Sequence, residues 1–122
     1  PIADVARYDA AMTDRLRIER TGPDGAIARV SLARPKVRNA FGWSLIAELR
    51  AAFAALARET PVALPAVVLA GDGETFSAGA DIGWMSAAMS LDVGGHEQAA
   101  MALAGMFEAS DTCPVPGIAL VQ

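Results

Sequence analysis

The stretch "GETFSAGADIGWM", residues 73–85, decides how the rest of the chain is read. It follows "AVVLAG" (66–71), a short unbroken apolar run rich in valine, which reads as a strand covered on both faces. Gly73 opens a turn. After Phe76 come the small residues Ser77, Ala78, Gly79 and Ala80, closed by Asp81. A helix starting there presents backbone N–H groups without internal partners and a partial positive charge. Small residues ahead of it let a ligand reach the backbone without meeting a bulky side chain. Asp81 suits the N-cap, where its side-chain oxygen holds the first turn. Spacing alone leaves two readings open. One is a tight helix-entry turn; the other is a set of amides laid bare to stabilise charge developing on a carbonyl oxygen.

Nucleotide-binding readings of this junction fail on required residues. A phosphate-binding loop needs a Gly-Lys pair, and the chain's only lysine, Lys36, lies far upstream. A dinucleotide fingerprint needs a third glycine where "GDGETF" has Phe76.

Upstream, "RLRIER" (15–20) alternates charged and apolar residues like a half-exposed strand, and "TGPDG" (21–25) is a turn. "AIARVSLAR" (26–34) reads as a second strand with Ala28, Val30 and Leu32 on one face, which completes an antiparallel hairpin. Pro35 breaks the pattern in "RPKVRNA" (34–40). A helix is expected from about Trp43 to Arg58, with Leu45, Leu49, Phe53 and Leu56 forming its apolar stripe. Downstream, "SLDVGGHEQ" (90–98) reads as a mobile connection. A second helix is expected over His96–Asp111, burying Met101, Leu103, Met106 and Phe107, and "CPVPGIALVQ" (113–122) starts a further strand. Strand, strand, helix, strand, helix, strand is a mixed α/β order.

Composition narrows the function. The 122 residues allow one domain, and 53% apolar content allows a real core. No apolar run approaches the roughly 18 residues of a membrane span, and no basic segment leads into an apolar one, so neither a membrane helix nor a signal peptide is expected. The net charge of -4 argues against nucleic acid as a partner. The single cysteine, Cys113, forms no internal disulfide and fits a reducing cytoplasm; beside Pro114 it reads as a small buried residue rather than a nucleophile. His96, alone between Asp92 and Glu97, matches no metal-ligand signature and reads as solvated at a helix start. Arg34, Lys36 and Arg38 form a basic cluster, either a solvated loop or a patch for the phosphates of an acidic ligand. Trp43 and Trp84 read as packing residues, with Trp84 also placed to line a pocket wall.

Three segments carry a resemblance. "LARPKVRNAF" is similar to the L-x-R-P-x-x-x-N-A-[LF] segment of the enoyl-CoA hydratase/isomerase family, the crotonases. "VVLAGDGETFSAGADIGWM" resembles that family's V-[VL]-x-G-x-G-x-x-F-[SC]-A-G-A-D-[LI] segment, and "PVPGIALVQ" resembles the strand leading to its second glycine motif. Order and spacing agree over essentially the whole chain. The resemblance implies an α/β fold of the crotonase-like β-β-α spiral type, truncated, with residues 1–122 as the N-terminal part of a single domain.

The resemblance also implies an acyl-CoA thioester as substrate, no cofactor and no metal, and a homotrimer or hexamer. It implies an enoyl-CoA hydratase, and the "ADIGWM" ending resembles members acting on branched or carboxylated acyl chains. Alternatives are an isomerase, another crotonase activity, or a non-catalytic CoA-binding or assembly protein. An unrelated α/β domain with an ordinary turn would have no CoA affinity. Residue by residue, the family's first oxyanion donor falls on the backbone N–H of Ala80. Ala78, Asp81 and Ile82 fall on the acyl and adenine sites, and Val37 and Arg38 border the CoA. The second donor and the acid/base glutamates are expected beyond Gln122. This stretch by itself is therefore expected to be inactive and poorly stable.

Overall fold

The computed structural model describes residues 15–122; the start of the chain, where no signal peptide is expected, lies outside them. Strand β1 (Leu16–Thr21) pairs antiparallel with β2 (Ile27–Leu32), in register from Leu16 opposite Leu32 to Thr21 opposite Ile27. Helix α1 (Trp43–Leu56) then returns the chain to β3 (Ala66–Gly71), parallel to β2. Helices α2 (Ile82–Met89) and α3 (Val93–Asp111) precede β4 (Gly117–Ala119), parallel to β3. The sheet runs β1-β2-β3-β4. An antiparallel pair needs only a turn, whereas each parallel pair needs a crossover, here supplied by helices.

Register explains the core. Ile18, Val30 and Leu69 lie side by side across three strands, and Ala28 and Val67 across two, so alternate residues put one apolar face toward the helices. Leu45, Ile46, Leu49, Ala52, Phe53 and Leu56 of α1 bury against it. Met106 of α3, Leu64 and Val115 close the same cluster. Each fully buried leucine contributes about 2 kcal/mol of hydrophobic stabilisation.

Some expectations change. Residues 90–98 are not a mobile connection: α3 starts at Val93, with the Asp92 carboxylate accepting from the Gly95 amide at 2.8 Å. His96 therefore lies in its first turns, exposed. Met101 and Phe107 are not buried but 69% and 55% exposed, because α3 packs through Ala99 and Met106 instead. Leu103 is half-buried against the core, as is Cys113. β3 buries one residue on each face, Val67 and Ala70, and its other residues are half-buried. The last strand covers Gly117–Ala119 rather than running to Gln122.

Candidate functional site

Two loops follow the C-terminal ends of the neighbouring strands β2 and β3, and their clasp builds the site. Asn39 is the clasp. It is fully buried, at a left-handed backbone (φ 54°) that asparagine tolerates better than most residues. Its Oδ1 accepts from the Arg34 amide at 2.8 Å, and its Nδ2 donates to the carbonyls of Asp72 (2.9 Å) and Thr75 (2.8 Å). The Asn39 carbonyl in turn accepts from the Ser77 hydroxyl at 2.9 Å. One amide side chain thus satisfies groups from both loops at once.

Close approach demands two glycines. A Cβ on Gly71 would lie 2.5 Å from the Phe76 carbonyl oxygen and 2.8 Å from Asn39 Nδ2. One on Gly73, itself at φ +83°, would lie 2.9 Å from Pro35 Cβ. The 34–41 loop therefore rests directly on the backbone of the 72–80 loop.

Beyond Asn39 the loops pair as a short parallel ladder. The Ala78 amide donates to the Arg38 carbonyl (2.9 Å), the Phe41 amide to the Gly79 carbonyl (2.8 Å), and the Asp81 amide to the Phe41 carbonyl (2.7 Å). The Gly79 amide donates to Ser77 Oγ at 3.1 Å. In a parallel bridge between Phe41 and Ala80, the groups that reach Phe41 belong to the residues on either side of Ala80. The N–H of Ala80 itself points away from Phe41, and among the described residues it has no hydrogen-bond acceptor. It is a fixed, unspent donor flanked by three spent ones.

Asp81 is the N-cap of α2, its Oδ1 accepting from the Trp84 amide at 3.0 Å. Arg34 is tied down too: it donates to the Ala40 carbonyl at 2.7 Å and stands 3.8 Å from the Asp81 carboxylate. The basic cluster thus divides. Arg34 is part of the frame, while Lys36 and Arg38 are exposed and, among the described residues, make no ion pair. Val37 is exposed beside them, Ala78 is exposed, and Ile82 is 80% exposed at the start of α2. The structure therefore brings Arg38, Ala78, Ala80 and Asp81 together through backbone bonds, with Val37 and Ile82 presented on the same two loops' surface. Trp43 and Trp84 pack edge to face, centroids 5.6 Å apart, beside a depression of about 240 Å³ that Arg34, Trp43 and Asp81 help to line. A larger cavity of about 440 Å³ lies elsewhere, between β3, β4 and the end of α3, and holds none of the sequence-assigned residues.

Asp72 anchors the second loop to the sheet. Arg17 of β1 grips its carboxylate through both terminal nitrogens at 2.9 Å. The hydrogen bond from that guanidinium holds the Asp72 carboxyl below its ordinary range and raises the Arg17 pKa in return. Among the described residues no group of histidine, cysteine and carboxylate side chains could hold a metal ion. Sequence reasoning named Ser77 only as one of four small residues and did not single out Asn39; the available signal was an asparagine closing a proline turn, and a serine two residues before a glycine.

A family model described as enoyl-CoA hydratase/isomerase matches residues 22–122. The chain belongs to the enoyl-CoA hydratase/isomerase family. Among solved structures, this crotonase-family chain is similar to an enoyl-CoA hydratase from Shewanella pealeana, with TM-score 0.80 and 30% identity over 88% of this chain and 39% of that one. It is also similar to an enoyl-CoA hydratase from Mycobacterium smegmatis (TM-score 0.78, 29% identity, 89% and 40% covered). A third is an enoyl-CoA hydratase/isomerase from Xanthobacter autotrophicus (0.80, 25%, 91% and 39%). The chain thus spans about two fifths of the length of these crotonases. No individually curated protein matches it. The α/β fold is that of the family, and no helix among the described residues is long and apolar enough to cross a membrane.

Proposed function

We propose that this protein binds acyl-CoA thioesters and that the backbone N–H of Ala80 supplies one donor of an oxyanion hole, in an enoyl-CoA hydratase that adds water to a 2-enoyl-CoA. The observation carrying this reading is the unspent Ala80 amide, fixed by the Phe41 bridge and flanked by spent amides. A thioester carbonyl gains negative charge as water adds across the conjugated double bond and an enolate forms. A donor already in place stabilises that charge without reorganising, and losing one such donor typically slows turnover about a hundred- to a thousand-fold. Family membership supports the substrate class. Asp81 holds the turn rather than reacting, since its carboxylate is committed to the Trp84 amide.

Lys36 and Arg38 would meet the phosphates of CoA, with Val37 at its border and Ala78 and Ile82 along the acyl and adenine path. Their freedom from ion pairs among the described residues supports this assignment. The same reading makes the protein a cytoplasmic homotrimer or hexamer. The free thiol of Cys113 supports the compartment, and the exposed Met89, Met101 and Phe107 support an oligomer. Branched or carboxylated acyl chains are the proposed substrates, on the "ADIGWM" ending.

The test is a titration of the whole protein with acetyl-CoA, watching the tryptophan fluorescence of the Trp43–Trp84 pair, beside an assay of but-2-enoyl-CoA hydration by loss of enone absorbance. Saturable quenching with turnover is expected. Binding without turnover would leave a CoA-binding protein, and absence of both would sink the proposal. In the same titration, Lys36→Ala combined with Arg38→Asn, an asparagine that tolerates the left-handed backbone (φ 52°), is expected to weaken binding. The expected loss is roughly five- to twenty-fold at low salt and less at high salt.

A further inference from the structure

Gly79 is the residue that aims the Ala80 amide, since the peptide joining the two carries the Gly79 carbonyl and the Ala80 N–H. Packing gives it little help: nothing lies within 4 Å of where a Cβ on Gly79 would sit, and its backbone is left-handed at φ +84°. Hydrogen bonds hold it instead. Its carbonyl accepts from Phe41, and its amide donates to the Ser77 hydroxyl. That hydroxyl donates onward to the carbonyl of Asn39, the buried clasp. The chain of contacts runs from a residue locked in the interior, through one hydroxyl, to the peptide next to the one that carries the donor. Backbone pairing holds the Ala78 amide, the Gly79 carbonyl and the Asp81 amide; the Gly79 amide among them has the Ser77 hydroxyl as its acceptor.

We infer that Ser77 is a positioning residue for the reaction, its hydroxyl setting the direction of the Ala80 N–H through Gly79. The inference rests on the proposed oxyanion role of Ala80. Without the hydroxyl, the Gly79 amide loses its acceptor, and the left-handed turn at Gly79 is held by the backbone bonds of Ala78, Gly79 and Asp81 alone, so the Gly79–Ala80 peptide tilts from its native direction. A tilted donor still lets the thioester bind, because binding draws on the whole CoA. It no longer meets the developing oxyanion at the right angle, and misplacement of a reacting contact costs about ten- to a hundred-fold in rate.

The experiment compares the whole protein with Ser77→Ala and with Ser77→Thr, which keeps the hydroxyl. Two readouts are taken: hydration of but-2-enoyl-CoA, and the infrared carbonyl band of bound acetyl-CoA labelled with carbon-13 at the thioester. For Ser77→Ala, kcat is expected to fall roughly ten-fold with KM within about two-fold, and the carbonyl band to move toward that of free acetyl-CoA. Ser77→Thr is expected to keep the native kcat and band. A native kcat and band in Ser77→Ala would overturn the inference, and so would a Ser77→Thr variant that behaves like Ser77→Ala. If Ser77→Ala does not fold while Ser77→Thr does, the hydroxyl serves the fold rather than the donor, and the inference is equally overturned. If the unaltered protein leaves the carbonyl band at its free position, the oxyanion reading of Ala80 has failed instead.

Discussion

Asn39 concentrates more consequence than any other single side chain described. Replacing it by aspartate turns a double donor into an acceptor, and sets a carboxylate against the carbonyls of Asp72 and Thr75, both within 2.9 Å of the present nitrogen. Asn39→Asp is expected to cost about 3 kcal/mol of stability in urea unfolding at neutral pH, because buried carbonyls lose their donors and a charge is left unpaired. Gly71→Ala acts on the same contact from the other side. Its Cβ would lie 2.5 Å from the Phe76 oxygen, backbone that cannot yield by a rotamer change. A loss of about 2 kcal/mol is expected, read by the same urea unfolding. An unchanged midpoint in either variant would mean that the loops are not held as described. The role of Asn39 is illegible in its neighbourhood because two of its partners lie 33 and 36 residues away. Local pattern names the residue types a turn needs, but not a hydrogen bond that waits for two strands to pair.

The helices differ in how much they reveal before folding. α1 is legible: its apolar residues recur at three and four, and the stripe built on Leu45, Leu49, Phe53 and Leu56 is buried. α3 is not, because alanine, methionine and leucine surround it on more than one side, and the period alone does not choose a face. Met101 lies two residues from the buried Ala99, far around the helix, and so stays outside. α2 is fixed at its entrance instead. Asp81→Ala removes the carboxylate that accepts from the Trp84 amide and is expected to cost about 1 kcal/mol in thermal or urea unfolding. Asp81→Asn keeps an accepting oxygen and is expected to lose less than half of that. Equal losses would assign the effect to the charge facing Arg34, 3.8 Å away, rather than to the cap.

Across the whole molecule, the mixed α/β class is legible in the alternation of elements, and the hairpin, α1 and β3 stand where their patterns place them. Electrostatic ties between distant segments did not. Arg17 and Asp72 are 55 positions apart, and only the pairing of β1 with β2 and of β2 with β3 brings them together. Because Arg17 holds the Asp72 carboxyl below its ordinary range, the folded state binds that proton less readily than the unfolded chain. The stabilisation is therefore complete above the usual aspartate pKa and is lost as the pH falls through the lowered folded value. Both partners remain one-third exposed, so water screens the pair and its worth is about 0.5 kcal/mol. Asp72→Asn is expected to flatten the acid limb of stability measured against pH while leaving the Asn39 contact, which uses the Asp72 carbonyl, in place.

The direct seating of one loop on the other also bears on how such a sequence can drift over generations. Pro35 leaves no room for a side chain at Gly73, and Asn39 leaves none at Gly71, so neither loop can vary alone. The two segments form one heritable unit, although the entire helix α1 separates them along the chain. In a library randomised at 35, 39, 71 and 73 together and selected for folding, survivors carrying a larger residue at 73 are expected to carry a smaller one at 35. Independent variation at those two positions would show that the contact is dispensable.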